Sequence, residues 1–143
     1  MAIHLAMKAQ EKESAVLFMD LNNFKPVNDA YGHDVGDEVM RSYFQTVLNL
    51  AEADDVYGWG GDEVVVFLRE TDETTVEARV AAIKKAVAAE CSAQPVLAQD
   101  SHRISVACGA YVFASRESPA AIVEAADRRM YEDKARMKAN AET

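Results

Sequence analysis

A glycine-rich turn between two apolar segments is the feature that most limits how this 143-residue chain can fold. Val56 and Tyr57 precede the turn, Gly58–Asp62 (G-W-G-G-D) forms it, and Glu63–Leu68 (E-V-V-V-F-L) follows it. Glycine is the residue that a tight hairpin turn requires, and short apolar segments on both sides are typical of paired strands. The sequence therefore predicts an antiparallel β-hairpin.

Helical and strand patterns mix along the rest of the chain. Ser14–Asp20 is a short apolar run that ends in an acid, which is the pattern of a buried central strand. One more strand is expected at 103–113, and helices are expected at 2–13, 38–52, 74–93 and 118–138, the last with Ser118 as its cap and a helical proline after it. These elements indicate an α+β or α/β class, with helices packed on a sheet.

The segment Leu21–Asp37 contains Pro26 and two glycines, and it is expected to be a polar connection. Asp34 or Asp37 is expected to cap the helix that begins at Glu38. Four apolar residues recur at helical spacing in that helix and should form its buried face: Val39, Phe44, Val47 and Leu48.

Composition excludes several classes of function. A net charge of −9 argues against duplex nucleic acid as a partner, because phosphate contacts need a basic surface. Apolar runs such as Ala15–Met19 are too short to cross a membrane. Cys91 and Cys108 lack the spacing of metal ligands and are expected to be buried free thiols in a reducing cytoplasm. The length fits one domain over 1–143.

Two acidic positions are placed for metal chemistry. Asp20 ends an apolar strand, so its carboxylate should emerge at the edge of the sheet, and Asp62 lies with Glu63 on the glycine-rich turn. Clustered carboxylates repel one another and commonly bind a divalent cation, and Mg²⁺ needs only a few of them together with phosphates. Each feature alone is also typical of an ordinary turn. Gly60 and Gly61 add space for a bulky ligand to approach the backbone.

Four ordered blocks of sequence resemble a known family. Asp20–Asp29, Tyr31–Asp37 and Gly60–Val64 are similar to the GGDEF domain of diguanylate cyclases, and Ala126–Lys134 is similar to that family's final helix. The resemblance runs from about Ala15 to Lys138. It implies a palm-like, mostly antiparallel sheet flanked by helices, with the signature on a β-hairpin.

The resemblance also implies roles for individual residues. Asp20 and Asp62 would bind Mg²⁺ or Mn²⁺ with help from the Leu21 carbonyl, and Asp62 or Glu63 would assist in removing a hydroxyl proton. Guanine would be recognised by the Asn28 amide and the Asp37 carboxylate, which match its polar edge. The phosphates would be held by the backbone at Asn23 and Phe24 and by three lysines, Lys25, Lys134 and Lys138. The two C-terminal lysines also fit a solvated helix face.

The activity implied is the condensation of two GTP molecules into cyclic di-GMP at the interface of a two-fold homodimer. Expected partners are GTP and an attached sensory domain, with neither nucleic acid nor a membrane in contact with this cytoplasmic domain. The chain begins at Met1 without the family's usual leader, so the domain is expected to be truncated at its N-terminus.

Three substitutions depart from the family pattern and leave alternatives open. Gly58 stands where an Arg is common, Val64 replaces a Phe, and Ala51 replaces the Arg of a product-binding R-x-x-D site. One alternative is a degenerate GGDEF domain that serves as a GTP-binding or dimerisation module without turnover. Another is a palm-type transferase for a different nucleotide, against which the pair Asn28 and Asp37 argues.

Overall fold

The fold is organised around strand β1 (Ser14–Asn22), which pairs with a strand on each side. The computed structural model describes residues 13–51, 55–60, 63–93, 104–114 and 117–141. In this part of the chain the sheet has the order β2-β3-β1-β4, and each neighbouring pair is antiparallel. The other elements are β2 (Asp55–Gly60), β3 (Glu63–Leu68), β4 (Ser105–Phe113), α1 (Phe24–Tyr31), α2 (His33–Ala51), α3 (Glu73–Ser92) and α4 (Pro119–Ala141).

Alternation along β1 divides the core into two layers. Ala15, Leu17 and Met19 join one buried cluster, to which α2 and α3 contribute. Val16 and Phe18 point to the opposite face, where they pack with residues of α4. Because side chains alternate in a strand, Asp20 shares the face of Val16 and Phe18 and therefore lies under α4. The predicted α+β class with an antiparallel sheet is confirmed.

The prediction of a polar connection over residues 21–37 is wrong, because this segment contains the helix α1. Pro26 is the third residue of this helix, where its missing N–H would have no intrahelical acceptor in any case. Gly32 then turns the chain with a φ of 89°, and α2 begins at His33 rather than at Glu38. Asp34 and Asp37 therefore lie inside α2 and do not cap it.

The hairpin is confirmed, although β2 extends further than expected. Gly60 pairs with Glu63, so the backbone from Gly58 to Gly60 belongs to the strand instead of the turn, with a register shift between these two glycines. Strand β1 likewise continues two residues past Asp20. Leu48 is 48% exposed, so its predicted place on the buried face of α2 is wrong.

The ends of the later helices follow simple capping rules. The Asp72 carboxylate accepts a hydrogen bond from the Thr75 N–H at 2.8 Å, and this starts α3. The predicted cap of α4 is confirmed, since the Ser118 hydroxyl accepts from the Ala121 N–H at 3.2 Å.

Both cysteines are free thiols. Cys91 and Cys108 are buried, as predicted, and burial raises the pKa of their thiols to about 11 and about 12. The helices of the described residues include none with the length and apolar character that a bilayer span needs. Residues 2–12 of the first predicted helix lie outside the described part of the chain.

Candidate active site

Two carboxylates meet on the face of the sheet that α4 covers. Asp20 of β1 lies directly opposite Glu63 of β3 in the antiparallel register, and residues opposite one another share a face. Asp20 is only 7% exposed, and Glu63 is half-buried. The expectation that Asp20 emerges at the edge of the sheet is wrong, since β1 lies between β3 and β4 and α4 covers its carboxylate.

Lys134 of α4 reaches the same carboxylate. Its Nζ donates to Asp20 Oδ2 at 2.7 Å and to the Leu21 carbonyl oxygen at 3.3 Å. The ammonium group therefore contacts two of the three groups that the resemblance assigned to a metal, although the same resemblance assigned Lys134 to the phosphates. A positive charge at this point shows that the Asp20 carboxylate and the Leu21 carbonyl can serve a cation together.

The second oxygen of Asp20 has no such partner. Asp20 Oδ1 is buried, and no hydrogen-bond donor reaches it among the residues that the structure describes. A buried acceptor without a donor is costly, so such an atom in a native protein calls for an explanation. A divalent cation provides one, because a carboxylate oxygen is a ligand that Mg²⁺ prefers.

The Asp20 carboxylate and the Leu21 carbonyl are therefore chemically suited to hold Mg²⁺. Across the described ranges no three histidines, cysteines or carboxylates are placed so that they could hold a metal ion together. Mg²⁺ does not require such a group of three, because it takes one or two carboxylates and completes its shell with water and phosphates. Asp62, the other predicted ligand, and Gly61 lie outside the described residues.

The charges around Glu63 also include an acid that the sequence analysis assigned no role. Burial raises the pKa of Glu63, and the negative charges of Asp20 and Asp127 raise it further, while Lys134 opposes them. Asp127 lies seven residues before Lys134 on α4, a spacing that returns to the same side of a helix. That spacing is the sequence signal that could have identified Asp127.

Asn28 and Asp37, the predicted guanine-recognising residues, lie on adjoining helices. Asn28 Nδ2 is 3.4 Å from His33 Nδ1, and the oxygen of its amide lies against Gly36 of α2. Asp37 is the next residue along α2, and it is exposed. The structure therefore brings the Asn28 amide to the turn of α2 from which Asp37 projects.

The predicted phosphate-binding residues at the start of α1 are accessible. Asn23 precedes the helix in a left-handed conformation, with φ 67°, and Phe24 is half-buried against the core. Lys25 is 85% exposed and pairs with Asp29 at 2.9 Å. An exposed pair of this kind contributes little energy, so the Lys25 ammonium can exchange Asp29 for a phosphate.

Two further predicted residues, Gly60 and Lys138, lie near the carboxylates or on the exposed end of α4. Gly60 ends β2 opposite Glu63, so its backbone lies at the hairpin beside the carboxylates. Lys138 is exposed in the last turn of α4, one turn after Lys134. Asp20, Leu21, Glu63 and Lys134 thus form one cluster, and Asn28 and Asp37 lie at a second one.

Comparison with known proteins points to one family. Residues 2–140 match the family model described as the GGDEF domain of diguanylate cyclases. Diguanylate cyclase A of Treponema denticola is 33% identical over 127 residues, which are 87% of this chain and 34% of that protein. The cyclic di-GMP phosphodiesterase PdeR of Escherichia coli K12 is 38% identical over 81 residues, which are 56% of this chain and 12% of that protein.

A solved structure agrees in fold. The coiled coil and GGDEF domain of DgcB from Caulobacter crescentus, in complex with c-di-GMP, superposes with a TM-score of 0.81 at 20% identity. The match covers 94% of this chain and 72% of that one. At this identity the likeness shows the fold, and the chain spans only a minor part of the two curated relatives.

Proposed function

Because this chain belongs to the GGDEF domain family of diguanylate cyclases, we propose that it condenses two molecules of GTP into cyclic di-GMP, a second messenger, and two pyrophosphates. The observation that supports this most is the buried Asp20 carboxylate, which has one oxygen on Lys134 and one without a donor among the described residues. In native proteins the large majority of buried carboxylate oxygens have a hydrogen-bond partner, so the second Asp20 oxygen favours a ligand over a purely structural ion pair.

In this proposal Asp20, Asp62 and the Leu21 carbonyl hold Mg²⁺ or Mn²⁺. When bound, the metal neutralises phosphate charge and stabilises the attacking oxygen. Lys134 and Lys138 supply further positive charge from α4. The N–H groups at Asn23 and Phe24, with the Lys25 ammonium, bind the terminal phosphates, since the first N–H groups of a helix lack intrahelical acceptors and attract anions.

The base is recognised from α1 and α2. The Asn28 amide offers both a donor and an acceptor, and the Asp37 carboxylate accepts from the N1–H and the amino group of guanine. Adenine would leave these groups unpaired, which is how a polar site rejects the wrong base. Gly60 and Gly61 have no side chains, which would let a nucleotide approach the backbone of the signature.

The reaction is a nucleotidyl transfer. The 3′-hydroxyl oxygen of one GTP bonds to the α-phosphorus of the other, the bond to the β-phosphate bridging oxygen breaks, and pyrophosphate leaves with that electron pair. The hydroxyl proton passes to Asp62 or Glu63. Two such transfers close the ring, and each requires the GTP of one domain to face the GTP of another, so we propose a two-fold homodimer.

We place the domain in the cytoplasm, where GTP and Mg²⁺ are available and the free thiols of Cys91 and Cys108 stay reduced. A sensory or regulatory domain in the same protein would control how often two domains meet. No contact with nucleic acid or a membrane is required.

A second candidate is a GGDEF domain that binds GTP and regulates without turnover. Gly58 removes a cation that the family commonly has before its signature, and the relative PdeR is named a phosphodiesterase. Ala51 stands at the first position of the product-binding R-x-x-D site, where an Arg would supply a guanidinium, and it is buried in the core.

The test is to incubate the purified chain with GTP and Mg²⁺ at several protein concentrations and to measure cyclic di-GMP by chromatography. Product that rises more steeply than linearly with protein supports the dimeric enzyme. Asp62→Ala and Asp20→Asn should abolish it, while Glu77→Gln, an exposed acid on α3, should leave it unchanged.

The other outcomes separate the candidates. Absence of product together with metal-dependent GTP binding by calorimetry favours the regulatory module. Absence of both, in a chain that still melts cooperatively, would overturn any nucleotide-binding function at this site.

A further inference from the structure

The corner between α1 and α2 brings two helix segments unusually close. The Gly32 N–H donates to the Asn28 carbonyl at 2.9 Å, and the Gly36 N–H donates to the Gly32 carbonyl at 3.1 Å. Gly32 has a φ of 89°, a conformation that residues with a Cβ rarely adopt. These two hydrogen bonds fix how α2 passes beside Asn28.

The side chain of Asn28 occupies the volume that a side chain at position 36 would need. A Cβ placed on Gly36 would lie 2.0 Å from Asn28 Oδ1 and 3.0 Å from Asn28 Cγ. The other end of the amide lies 3.4 Å from His33 Nδ1. The amide is therefore held between two residues of the first turns of α2, next to Asp37.

We propose that Gly36 is a positioning residue for base selectivity: its missing Cβ seats the Asn28 amide in the orientation that reads guanine. This inference rests on the proposed function and adds a specificity determinant to it. A methyl group at position 36 displaces the amide by on the order of 1 Å, and a misplacement of that size is enough to weaken a directional contact severely. The displaced donor and acceptor no longer match the base.

The substitution that tests this should leave the fold intact. The clashing atoms belong to the far end of the Asn28 side chain, which is half-exposed and can rotate away. Gly36 lies within α2 and lacks the positive φ of Gly32. Alanine is also the better helix former at such a position, so Gly36→Ala should melt at or slightly above the wild-type temperature.

The experiment is a double-mutant cycle on the full chain with Gly36→Ala, Asn28→Ala and both together. The ligand is 3′-deoxy-GTP with Mg²⁺, because it lacks the attacking hydroxyl and cannot turn over. 3′-Deoxy-ATP and inorganic triphosphate measure what remains without guanine. Calorimetry gives the dissociation constants, and His33→Ala tests the other end of the amide.

We expect Gly36→Ala to weaken 3′-deoxy-GTP binding at least about tenfold and to leave inorganic triphosphate binding unchanged. Asn28→Ala should lose a similar factor, and the double variant should lose no more than Asn28→Ala alone, because both act through one amide. His33→Ala should give a smaller loss of the same kind.

Three results would overturn the inference alone: wild-type guanine binding by Gly36→Ala, losses that multiply in the double variant, or an equal loss for triphosphate. A wild-type chain that does not distinguish 3′-deoxy-GTP from 3′-deoxy-ATP would overturn the proposed function and this inference with it. The Asn28 side-chain amide resonance reports the displacement independently, and it should shift in Gly36→Ala.

Discussion

Asp20 and Asp133 are both buried carboxylates that accept from a lysine, and they differ in how fully they are satisfied. Asp133 of α4 is 5% exposed and accepts from Lys84 Nζ at 2.6 Å and from the Cys108 N–H at 2.9 Å on one oxygen, and from Arg136 on the other. Asp20 accepts from Lys134 on one oxygen, and no described donor reaches the other.

The difference separates a structural role from a chemical one. Asp133 joins α4, α3 and the backbone of β4, so both of its carboxylate oxygens are hydrogen-bonded within the fold. The pKa of Asp133 reflects this: burial raises it, but the hydrogen bonds from Cys108 and Lys84 outweigh burial and lower it overall. Asp20 has one oxygen without a described donor, and the proposed metal would bind there.

The largest predicted effect is on stability at Asp133. Asp133→Ala leaves the Cys108 N–H and the Lys84 ammonium without their acceptor, and we expect the free energy of unfolding to fall by about 3 kcal/mol. Urea denaturation measures it. Glu132→Ala, an exposed neighbour on α4, is the control and should change stability by less than about 0.5 kcal/mol. Equal losses of unfolding free energy in the two variants would show that Asp133 has no special structural role.

The next largest effect on stability is predicted at Gly109 of β4, where α4 comes close enough for Asp133 to reach the strand. A Cβ on Gly109 would lie 2.2 Å from the Ala126 carbonyl oxygen and 2.2 Å from the Met130 nitrogen. These are backbone atoms of a helix, which cannot rotate away as a side chain does. Gly109→Ala should therefore cost about 2 kcal/mol of unfolding free energy, measured by the same denaturation.

Gly58 provides the matched control for that substitution. It is exposed in β2, and no described atom lies within 4 Å of a Cβ placed on it. Gly58→Ala should change stability by less than about 0.5 kcal/mol. A loss at position 58 as large as that at position 109 would mean that the backbone of a strand, and not the approach of α4, sets the cost.

This comparison also shows what the sequence can and cannot predict. Short apolar runs predicted β1 and β3, and the glycine-rich turn predicted β2 as the hairpin partner of β3, because strands and hairpins are encoded locally. Alternation then places Asp20 and Glu63 on one face once their register is known. The register itself depends on pairing between segments more than 40 residues apart, which no local pattern states.

The errors have equally physical causes. Helix α1 was missed because Pro26 and Gly32 are typical of loops, yet a proline in the first helical turn costs nothing and Gly32 lies between two helices. The role of Asp133 in joining α4 to α3 and β4 has no sequence signal, since the partners that make those links lie 25 and 49 residues away. Lys134 was expected at phosphates, and only the packing of α4 reveals its contact with Asp20.

A smaller stability effect is predicted at Asp20, accompanied by the loss of ligand binding. Asp20→Asn removes the charge but keeps the shape, and Lys134 is 36% exposed and can be hydrated instead. We expect unfolding free energy to change by about 1 kcal/mol or less. Mg²⁺ with 3′-deoxy-GTP should raise the melting temperature of the wild type and not of this variant.

That pair of results would place Asp20 in the ligand site and outside the set of residues that hold the fold. A destabilisation as large as that of Asp133→Ala, with ligand stabilisation intact, would reverse the assignment.

The smallest predicted effect is the pH dependence that Asp133 carries. Its pKa in the folded chain lies below the ordinary value of 3.8, so its contribution to stability is complete above that value and is lost as the pH falls through the folded pKa. The free energies of unfolding of the wild type and of Asp133→Asn should therefore differ by a constant amount near neutral pH. Their difference should shrink as the pH falls below 3.8 and through the lower pKa of the folded chain, because a protonated Asp133 loses its ionic bonds to Lys84 and Arg136. Urea denaturation across that range measures the difference, and a difference that stays constant would show that the charge of Asp133 is not what holds α4 to β4.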